Sequence, residues 1–156
     1  MNSLVQIGGL ASVLFGLATG SALADEAPAW LQDVQPGPYP IRVMQVEADG
    51  SIWGVAHIDG YVLPKLWRLH GVELPRPGRQ AECSDERSRA AAAVRSIQCL
   101  TVGKPTAIKE VSSAPETERL AGRIILSDGR DLADALLRFG LARPQGTTVR
   151  DPWCGW

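Results

Sequence analysis

The stretch that decides the fold is IRVMQVEADGSIWGVAHIDGYVLPKLWRLHGVEL, residues 41–74. It contains three runs rich in Val, Ile and aromatic residues, separated by Asp-Gly pairs at Asp49-Gly50 and Asp59-Gly60. Asp-Gly between apolar runs favours tight hairpin turns, because such turns need residues with positive φ. The sequence therefore predicts a three-stranded meander, with strands over residues 41–48, 51–58 and 61–72.

The rest of the chain predicts two helices and two more strands. Ser84 is a suitable N-cap for a helix that Gly103 ends, and a second helix fits residues 131–140. Strand-like runs occupy residues 105–111 and 122–129. The order β-β-β-α-β-β-α predicts an α+β fold, mainly β, with a five-stranded barrel of the oligonucleotide/oligosaccharide-binding (OB) type.

The first residues have the features of an export signal. No Lys, Arg, Asp or Glu precedes Asp25, and the apolar stretch of residues 10–18 is too short to cross a bilayer. Ala22-Leu23-Ala24 matches the small-x-small pattern that signal peptidase cuts. We expect residues 1–24 to be a signal peptide, residues 25–40 an N-terminal arm and residues 41–156 the domain. The predicted location is secreted or periplasmic, with no later membrane span, and we expect a monomer.

The charge balance argues against one class of function. The chain has 16 basic and 17 acidic residues, a net charge of −1. Proteins that capture nucleic acid electrostatically carry a basic surplus, because phosphate contacts dominate their affinity. A strongly positive surface is therefore excluded, although a local basic patch is not.

Three cysteines, Cys83, Cys99 and Cys154, suit one disulfide in an exported chain. Cys83 and Cys99 flank a helical pattern and would lie about 24 Å apart along it, because each helical residue adds about 1.5 Å. That distance is too long for a disulfide. Cys154 is then the partner of one of them, and we favour Cys83–Cys154, with Cys99 buried as a small apolar residue.

Several motifs in a fixed order resemble the thermonuclease (staphylococcal nuclease-like) family. They are the Asp-Gly hairpin, RLHGVELP in place of an arginine strand that ends in Asp-x-Pro-Glu, AEC..E at the start of the first helix, and RLAGRIILSDGRDLADALLRFGLA at residues 119–142. The resemblance covers about residues 41–154. It implies a barrel that carries helices and a phosphodiester-cleaving site with Ca²⁺, two phosphate-binding arginines and a glutamate that activates water.

The resemblance assigns those roles to particular residues. Arg68 and Arg119 correspond to the two phosphate-binding arginines, with Arg123 as the competitor for the second. Asp49 and Glu73 correspond to metal ligands, and Glu73, with Arg68 and Arg119, to the catalytic set. Three positions of these motifs depart from the family pattern: Ser51 replaces a calcium-binding carboxylate, Glu73 replaces the turn aspartate, and Arg76 replaces the catalytic glutamate.

The departures weaken both the cation site and the chemistry. Ca²⁺ prefers 6–8 oxygen ligands with several carboxylates, so Ser51 and Arg76 both oppose its binding. A guanidinium cannot accept a proton as a general base. We therefore expect no resident cofactor, or Ca²⁺ or Mg²⁺ if the protein is active.

Two hypotheses follow. The first is a degenerate, non-hydrolytic module of the cell envelope in which Arg68, Arg76 and Arg119 hold a phosphate or an acidic polymer, either nucleic acid or glycan. Secreted nuclease-like proteins also accompany bacterial exopolysaccharide synthesis, which supports the glycan by analogy. The second is a secreted metal-dependent nuclease in which Mg²⁺ or Mn²⁺ binds Asp49, Glu73 and either Glu110 or Glu118, while Arg68 and Arg119 clamp the phosphate.

The remaining candidates have simpler explanations. His57 and His70 lie in strand-like runs without a Ser or Cys nucleophile, and we expect surface positions for them. The tryptophans favour core and rim packing over stacking on sugars or bases. The basic residues Arg76, Arg79, Arg87 and Arg89 alternate with acidic ones, which favours a solvated face over an anion-binding rim.

Overall fold

The computed structural model describes residues 33–114, 119–147 and 153–154. Five strands form a closed barrel in the order β1-β2-β3-β6-β5, and two short strands, β4 and β7, pair beside it. The α+β fold with a five-stranded OB-type barrel is thus confirmed. The elements are β1 (Tyr39–Val46), β2 (Ile52–Ile58), β3 (Tyr61–Leu69), β4 (Val72–Glu73), α1 (Ser84–Thr101), β5 (Thr106–Ala114), β6 (Arg119–Ile125), α2 (Leu132–Arg138) and β7 (Arg143–Pro144).

The two Asp-Gly pairs make different turns. Asp59 and Gly60 both have positive φ, 46° and 86°, and form the two-residue hairpin turn between β2 and β3. Between β1 and β2 the loop has five residues, 47–51, and only Gly50 has positive φ. The prediction that the first strand runs to residue 48 is therefore wrong. The longer loop turns Asp49 and Ser51 toward the end of the barrel.

Strand β3 joins the antiparallel meander to β6. β1, β2 and β3 form the antiparallel meander, and β3 pairs with β6 in parallel from Trp67 to Leu69. Pro64 lies before this parallel segment, on a part of β3 that has β2 as its registered neighbour. A proline is tolerated at such a position, because it lacks the N–H that a second neighbouring strand would need.

The barrel interior holds the side chains that alternate inward along each strand. The largest fully buried one is Trp67, whose indole Nε1–H donates to the Gly54 carbonyl at 3.1 Å. Ile52 and Ile108 pack into the same core, with Ile97 of α1 and Leu136 of α2 closing it from outside the sheet. A tightly filled interior leaves the outer face and the barrel ends as the surfaces that can bind a ligand.

Helix α1 begins at Ser84, and its N-cap is Cys83, so the prediction of Ser84 as the cap is wrong. The Cys83 sulfur accepts a hydrogen bond from the Glu86 N–H at 3.4 Å. The disulfide Cys83–Cys154 is confirmed, and it ties the C-terminal segment to the start of α1. Cys99 is free and exposed, so its predicted burial is wrong. It follows the fully buried Ile97 by two residues, which places it about 200° around the helix from the core.

The N-terminal arm lies partly within the described residues. Gln35 pairs with Val111 of β5 through two backbone hydrogen bonds, and β1 begins at Tyr39, two residues before the predicted boundary. The predicted signal peptide, residues 1–24, and the first part of the predicted arm, residues 25–32, lie outside the described residues. In the described ranges no helix is long and apolar enough to span a membrane.

Candidate functional site

A cleft of about 800 Å³ opens where the β1–β2 loop, the end of β3, the segment after β4 and the start of α1 meet. Trp153, which precedes the disulfide-bonded Cys154, forms part of its wall. Arg119 reaches this region from the start of β6. The cleft brings together residues singled out from the sequence, namely Asp49, Ser51, Arg68, Glu73 and Arg76.

Asp49, Ser51 and Arg119 form one cluster at the β1–β2 loop. The Asp49 Oδ1 accepts the Ser51 N–H at 2.9 Å, and Arg119 Nη1 donates to Asp49 Oδ2 at 3.1 Å and to Ser51 Oγ at 3.0 Å. Burial raises the pKa of the Asp49 carboxyl, but the hydrogen bonds from Ser51 and Arg119 outweigh it, so the pKa lies below its usual range. Asp49 is therefore an ionised partner of Arg119.

Gly50 makes this loop geometry possible. Its φ is +80°, and a Cβ at this position would collide with the Leu74 side chain. A residue with a side chain would therefore meet both backbone strain and a steric clash. The close approach of the loop to Leu74 brings Asp49 next to the segment that carries Glu73 and Arg76.

Glu73 pairs with Arg143, a residue to which the sequence patterns assign no role. Arg143 Nε and Nη2 both lie 2.6 Å from Glu73 Oε2. The pairing follows from the short β4–β7 ladder, in which Glu73 and Arg143 stand directly opposite each other. Opposite charges at such cross-strand positions attract.

Arg76 is bound by two carboxylates of the α1 region. Its Nε lies 2.9 Å from Glu86 Oε1, and its Nη2 lies 2.7 Å from Glu82 Oε1. Glu86, which is 1 % exposed, also accepts the backbone N–H groups of Arg76 at 3.0 Å and Glu82 at 2.7 Å.

These contacts set the charge state of the Arg76–Glu86 pair. Burial raises the pKa of the Glu86 carboxyl, but the hydrogen bonds from Arg76 and Glu82 lower this pKa by more than burial raises it. The net shift is therefore downward. The hydrogen bonds to Glu86 and Glu82 raise the pKa of the Arg76 guanidinium. Both side chains are therefore charged at neutral pH, and Arg76 is held in place.

Arg68 differs in its contacts from Arg76, Arg119 and Arg143, the other arginines of this region. It is exposed on β3 and lines the cleft, and it makes no hydrogen bond or ion pair with the residues that the structure describes. Among the described residues of this region, four arginines face four carboxylates, and the three arginines other than Arg68 bind all four carboxylates. Among the described residues, Arg68 is therefore the cleft arginine available to an external anion.

The described carboxylates are arranged as ion-pair partners rather than as a cation cage. Over residues 33–114, 119–147 and 153–154, no group of three or more His, Cys, Asp or Glu side chains could hold a metal. Glu110 does not line the cleft and lies 3.9 Å from Arg123, and Glu118 is outside the described residues. The assignment of Asp49 and Glu73 as metal ligands stays a prediction.

The other sequence candidates lie away from the cleft or have local roles. Arg123, the competitor of Arg119, donates from Nε to the α2 cap residue Asp131 at 2.7 Å. Of the basic cluster, Arg87 and Arg89 donate to the backbone carbonyls of Gly78 and Gly140. His57 and His70 are exposed, as expected.

The roles of Glu86 and Arg143 do not follow from the sequence patterns. Asp85 and Glu86 lie in the first turn of α1, where acidic side chains typically stabilise the positive end of a helix. Glu86 instead binds Arg76. No local signal marks Arg143, because its partner lies 70 residues earlier in the chain.

Comparison with known proteins gives no further assignment. No family model matches this chain, and no curated protein matches it. The resemblance to thermonucleases therefore stays a prediction that rests on the quoted motifs.

Proposed function

We propose that this protein is a non-hydrolytic module that binds an anionic polymer at the cleft, with Arg68 as the primary contact. The observation that carries the proposal is the difference between Arg68 and the other arginines of the cleft. Arg68 is exposed and unpaired among the described residues, whereas Arg76, Arg119 and Arg143 neutralise the carboxylates. A guanidinium fork binds phosphate or carboxylate oxygens through two parallel hydrogen bonds.

The chemistry of Arg76 supports binding without cleavage. Arg76 stands where the resemblance implies the water-activating glutamate, and a guanidinium cannot take a proton from water. Glu82 and Glu86 fix the Arg76 side chain, so Arg76 continues to occupy the place that another general base would need. In this proposal the anion-binding residues are Arg68, Arg76 and Arg119. Arg68 makes the primary contact with the anion, while Arg76 and Arg119 remain paired with carboxylates beside it.

Export fits the proposed role. The disulfide Cys83–Cys154 is typical of proteins in oxidising compartments, and the leader-like residues 1–24 agree with it. We place the protein in the periplasm or outside the cell, as an accessory module of the envelope. By analogy with nuclease-like secreted proteins, exopolysaccharide synthesis is the process we favour.

One observation favours the alternative, a metal-dependent phosphodiesterase that cuts DNA or RNA. Asp49, Arg68, Glu73 and Arg119 converge on one region although they are far apart in sequence. The side chains of Asp49 and Glu73 are 44 % and 39 % exposed, so both can turn toward a cation. Mg²⁺ needs only one or two carboxylates together with waters and phosphate.

A paired cleavage and binding assay separates the two functions. The purified protein is incubated with single-stranded DNA and RNA in Ca²⁺, Mg²⁺, Mn²⁺ or EDTA, and its binding to labelled oligogalacturonate and oligo(dT) is measured. We expect no cleavage with any metal. Arg68→Ala should weaken binding about tenfold, the scale of one lost hydrogen bond to a charged group.

Arg138→Ala is the matched control, because Arg138 is an exposed arginine on α2 and does not line the cleft. It should bind like the unaltered protein. Metal-dependent cleavage that disappears in Arg68→Ala would establish the alternative. Equal binding by Arg68→Ala and the unaltered protein would overturn the proposed role of Arg68.

A further inference from the structure

The outer face of the β1–β2–β3 sheet carries an exposed tryptophan. Trp53 points outward from β2 and is 43 % exposed. Leu66 of β3 stands directly opposite it, and on the other side the β1 pairing shifts, so that Met44 is an additional residue, 53 % exposed. The Trp53 indole N–H makes no hydrogen bond to a described residue. The face thus presents a flat aromatic ring with an N–H donor that no described residue uses.

Two arginines flank this ring at equivalent diagonal positions. Arg42 of β1 stands opposite Val55, two residues from Trp53 on the same face. Arg68 follows Leu66 by two residues on the same face of β3. Diagonal neighbours of this kind have backbones about 7–8 Å apart, within reach of an arginine side chain. Both arginines are exposed, and neither forms a hydrogen bond or ion pair within the described ranges.

Polar side chains complete the surface around Trp53. Gln45 stands opposite Trp53 on β1, and His57 follows Trp53 by four residues on the outer face of β2. Gln45 donates to Glu47 Oε1 at 3.0 Å, which leaves its amide oxygen as an acceptor. The Gln45 amide, the His57 imidazole and the N–H of the Trp53 ring provide the donors and acceptors that sugar hydroxyls require.

The charge density of the face discriminates between two polymer classes. Single-stranded nucleic acid carries a phosphate on every nucleotide, and its binding grooves combine stacking with many cations. Among the described residues, this face offers two arginines without an ion-pair partner, and the chain as a whole has a net charge of −1. A polymer of hydroxyl-rich sugar rings, whose binding depends on hydrogen bonds to its hydroxyls as well as on its carboxylates, fits this pattern better.

We propose that the outer sheet face binds an acidic polysaccharide, with a sugar ring on Trp53 and carboxylates on Arg42 and Arg68. This inference rests on the proposed function, because Arg68 belongs to both the face and the cleft. It extends the site across the sheet, so that the polymer lies over β2 and continues into the cleft through Arg68. Neither Arg42 nor Trp53 lines the cleft.

The test measures binding of oligogalacturonate, its methyl ester and oligo(dT) to full-length variants. Trp53→Leu should weaken oligogalacturonate binding about tenfold, the scale of one lost stacking contact, and Trp53→Phe, which keeps a ring, should weaken it about threefold or less. Arg42→Ala should weaken binding to a similar extent as Trp53→Leu. The methyl ester should bind the unaltered protein weakly, because it keeps the rings and loses the charges.

Phe139→Leu and Arg138→Ala are the matched controls. Phe139 is 65 % exposed and Arg138 is exposed, and both lie at the end of α2. Neither change should alter binding, and circular dichroism establishes that every variant is folded.

Unchanged binding in Trp53→Leu and Arg42→Ala, with a loss in Arg68→Ala, would overturn this inference and leave the proposed function intact. Tighter, Trp53-dependent binding of oligo(dT) would overturn the polysaccharide in favour of nucleic acid, and no effect of Arg68→Ala would count against the proposed function itself.

Discussion

Arg76 Nε lies 2.9 Å from Glu86 Oε1, where a half-exposed guanidinium meets an almost completely buried carboxylate. The contact links the loop after β4 to the first turn of α1. Glu86 also accepts the backbone N–H groups of Arg76 and Glu82. One carboxylate thus binds both the loop after β4 and the residues that precede α1. The arginine that replaces the implied catalytic glutamate is thus an integral part of the fold.

Replacing Arg76 should destabilise the protein. Arg76→Met leaves the buried charge of Glu86 with only its backbone donors and Glu82 without its cation. We expect a measurable loss in the free energy of unfolding, smaller than for a fully buried pair because Arg76 is half exposed. Urea unfolding measures it. Arg79→Met, an exposed neighbour, should change stability by less than about 0.5 kcal/mol. Equal stability of the two variants would contradict the structural role of Arg76.

The Glu86 carboxyl should make stability depend on acid. Its pKa is lowered in the folded protein, so its contribution is present above the ordinary value near 4.5 and is lost as pH falls through the lowered pKa. Glu86→Gln should therefore be less stable than the unaltered protein by about 2 kcal/mol at neutral pH, and this difference should shrink as the pH falls through the lowered pKa. Urea unfolding at a series of pH values tests this. A difference that stays constant with pH would contradict it.

Building the calcium site that the resemblance implies should require three changes. Ser51→Asp and Arg76→Glu restore the carboxylates that the resemblance implies, but Arg76→Glu alone places a second carboxylate against buried Glu86. We expect the double variant to lose stability and the triple variant with Glu86→Gln to gain calcium binding. Calorimetric titration and a calcium-dependent rise in Tm measure the gain. A folded triple variant without calcium affinity would show that these positions are not a former cation site.

Removing the disulfide should affect both stability and the cleft. The bond spans 71 positions and anchors the segment that places Trp153 in the cleft wall. Cys83→Ser/Cys154→Ser should lower the free energy of unfolding by about 2–4 kcal/mol and weaken oligogalacturonate binding. The hydroxyl introduced by Cys83→Ser can still accept the Glu86 N–H, so the helix keeps an N-cap. Cys99→Ser is the control, because Cys99 is free and exposed. Full stability of the double variant would show that the bond has no structural role.

The element order was predictable because its signals are local. Asp59-Gly60 marks a turn by its own conformational preference, and Asp131 caps α2 by accepting the Ala133 N–H at 2.8 Å. The predicted burial of Cys99 is wrong, although the helical period places this residue on the side opposite Ile97. The prediction fails because it gives composition more weight than position on the helix.

The partners within the site were not predictable in the same way. Glu73 and Arg143 meet because two residues of β4 pair with two of β7, and a ladder that short leaves no pattern in the sequence. Arg76 meets Glu86 because α1 starts above the loop, a placement that depends on the packing of the whole barrel. The sequence identified three of the four arginines, and tertiary structure decided which of the four are neutralised.

Closure of the barrel has a consequence for how fast the chain folds. The meander forms between neighbours in sequence, but the barrel closes only when residue 39 pairs with residue 108 and residue 67 with residue 120. Contacts between such distant positions require loop entropy to be lost before any pairing energy is gained. We expect refolding on the millisecond-to-second scale typical of barrels of high contact order, with the meander ordered before the strands that close it.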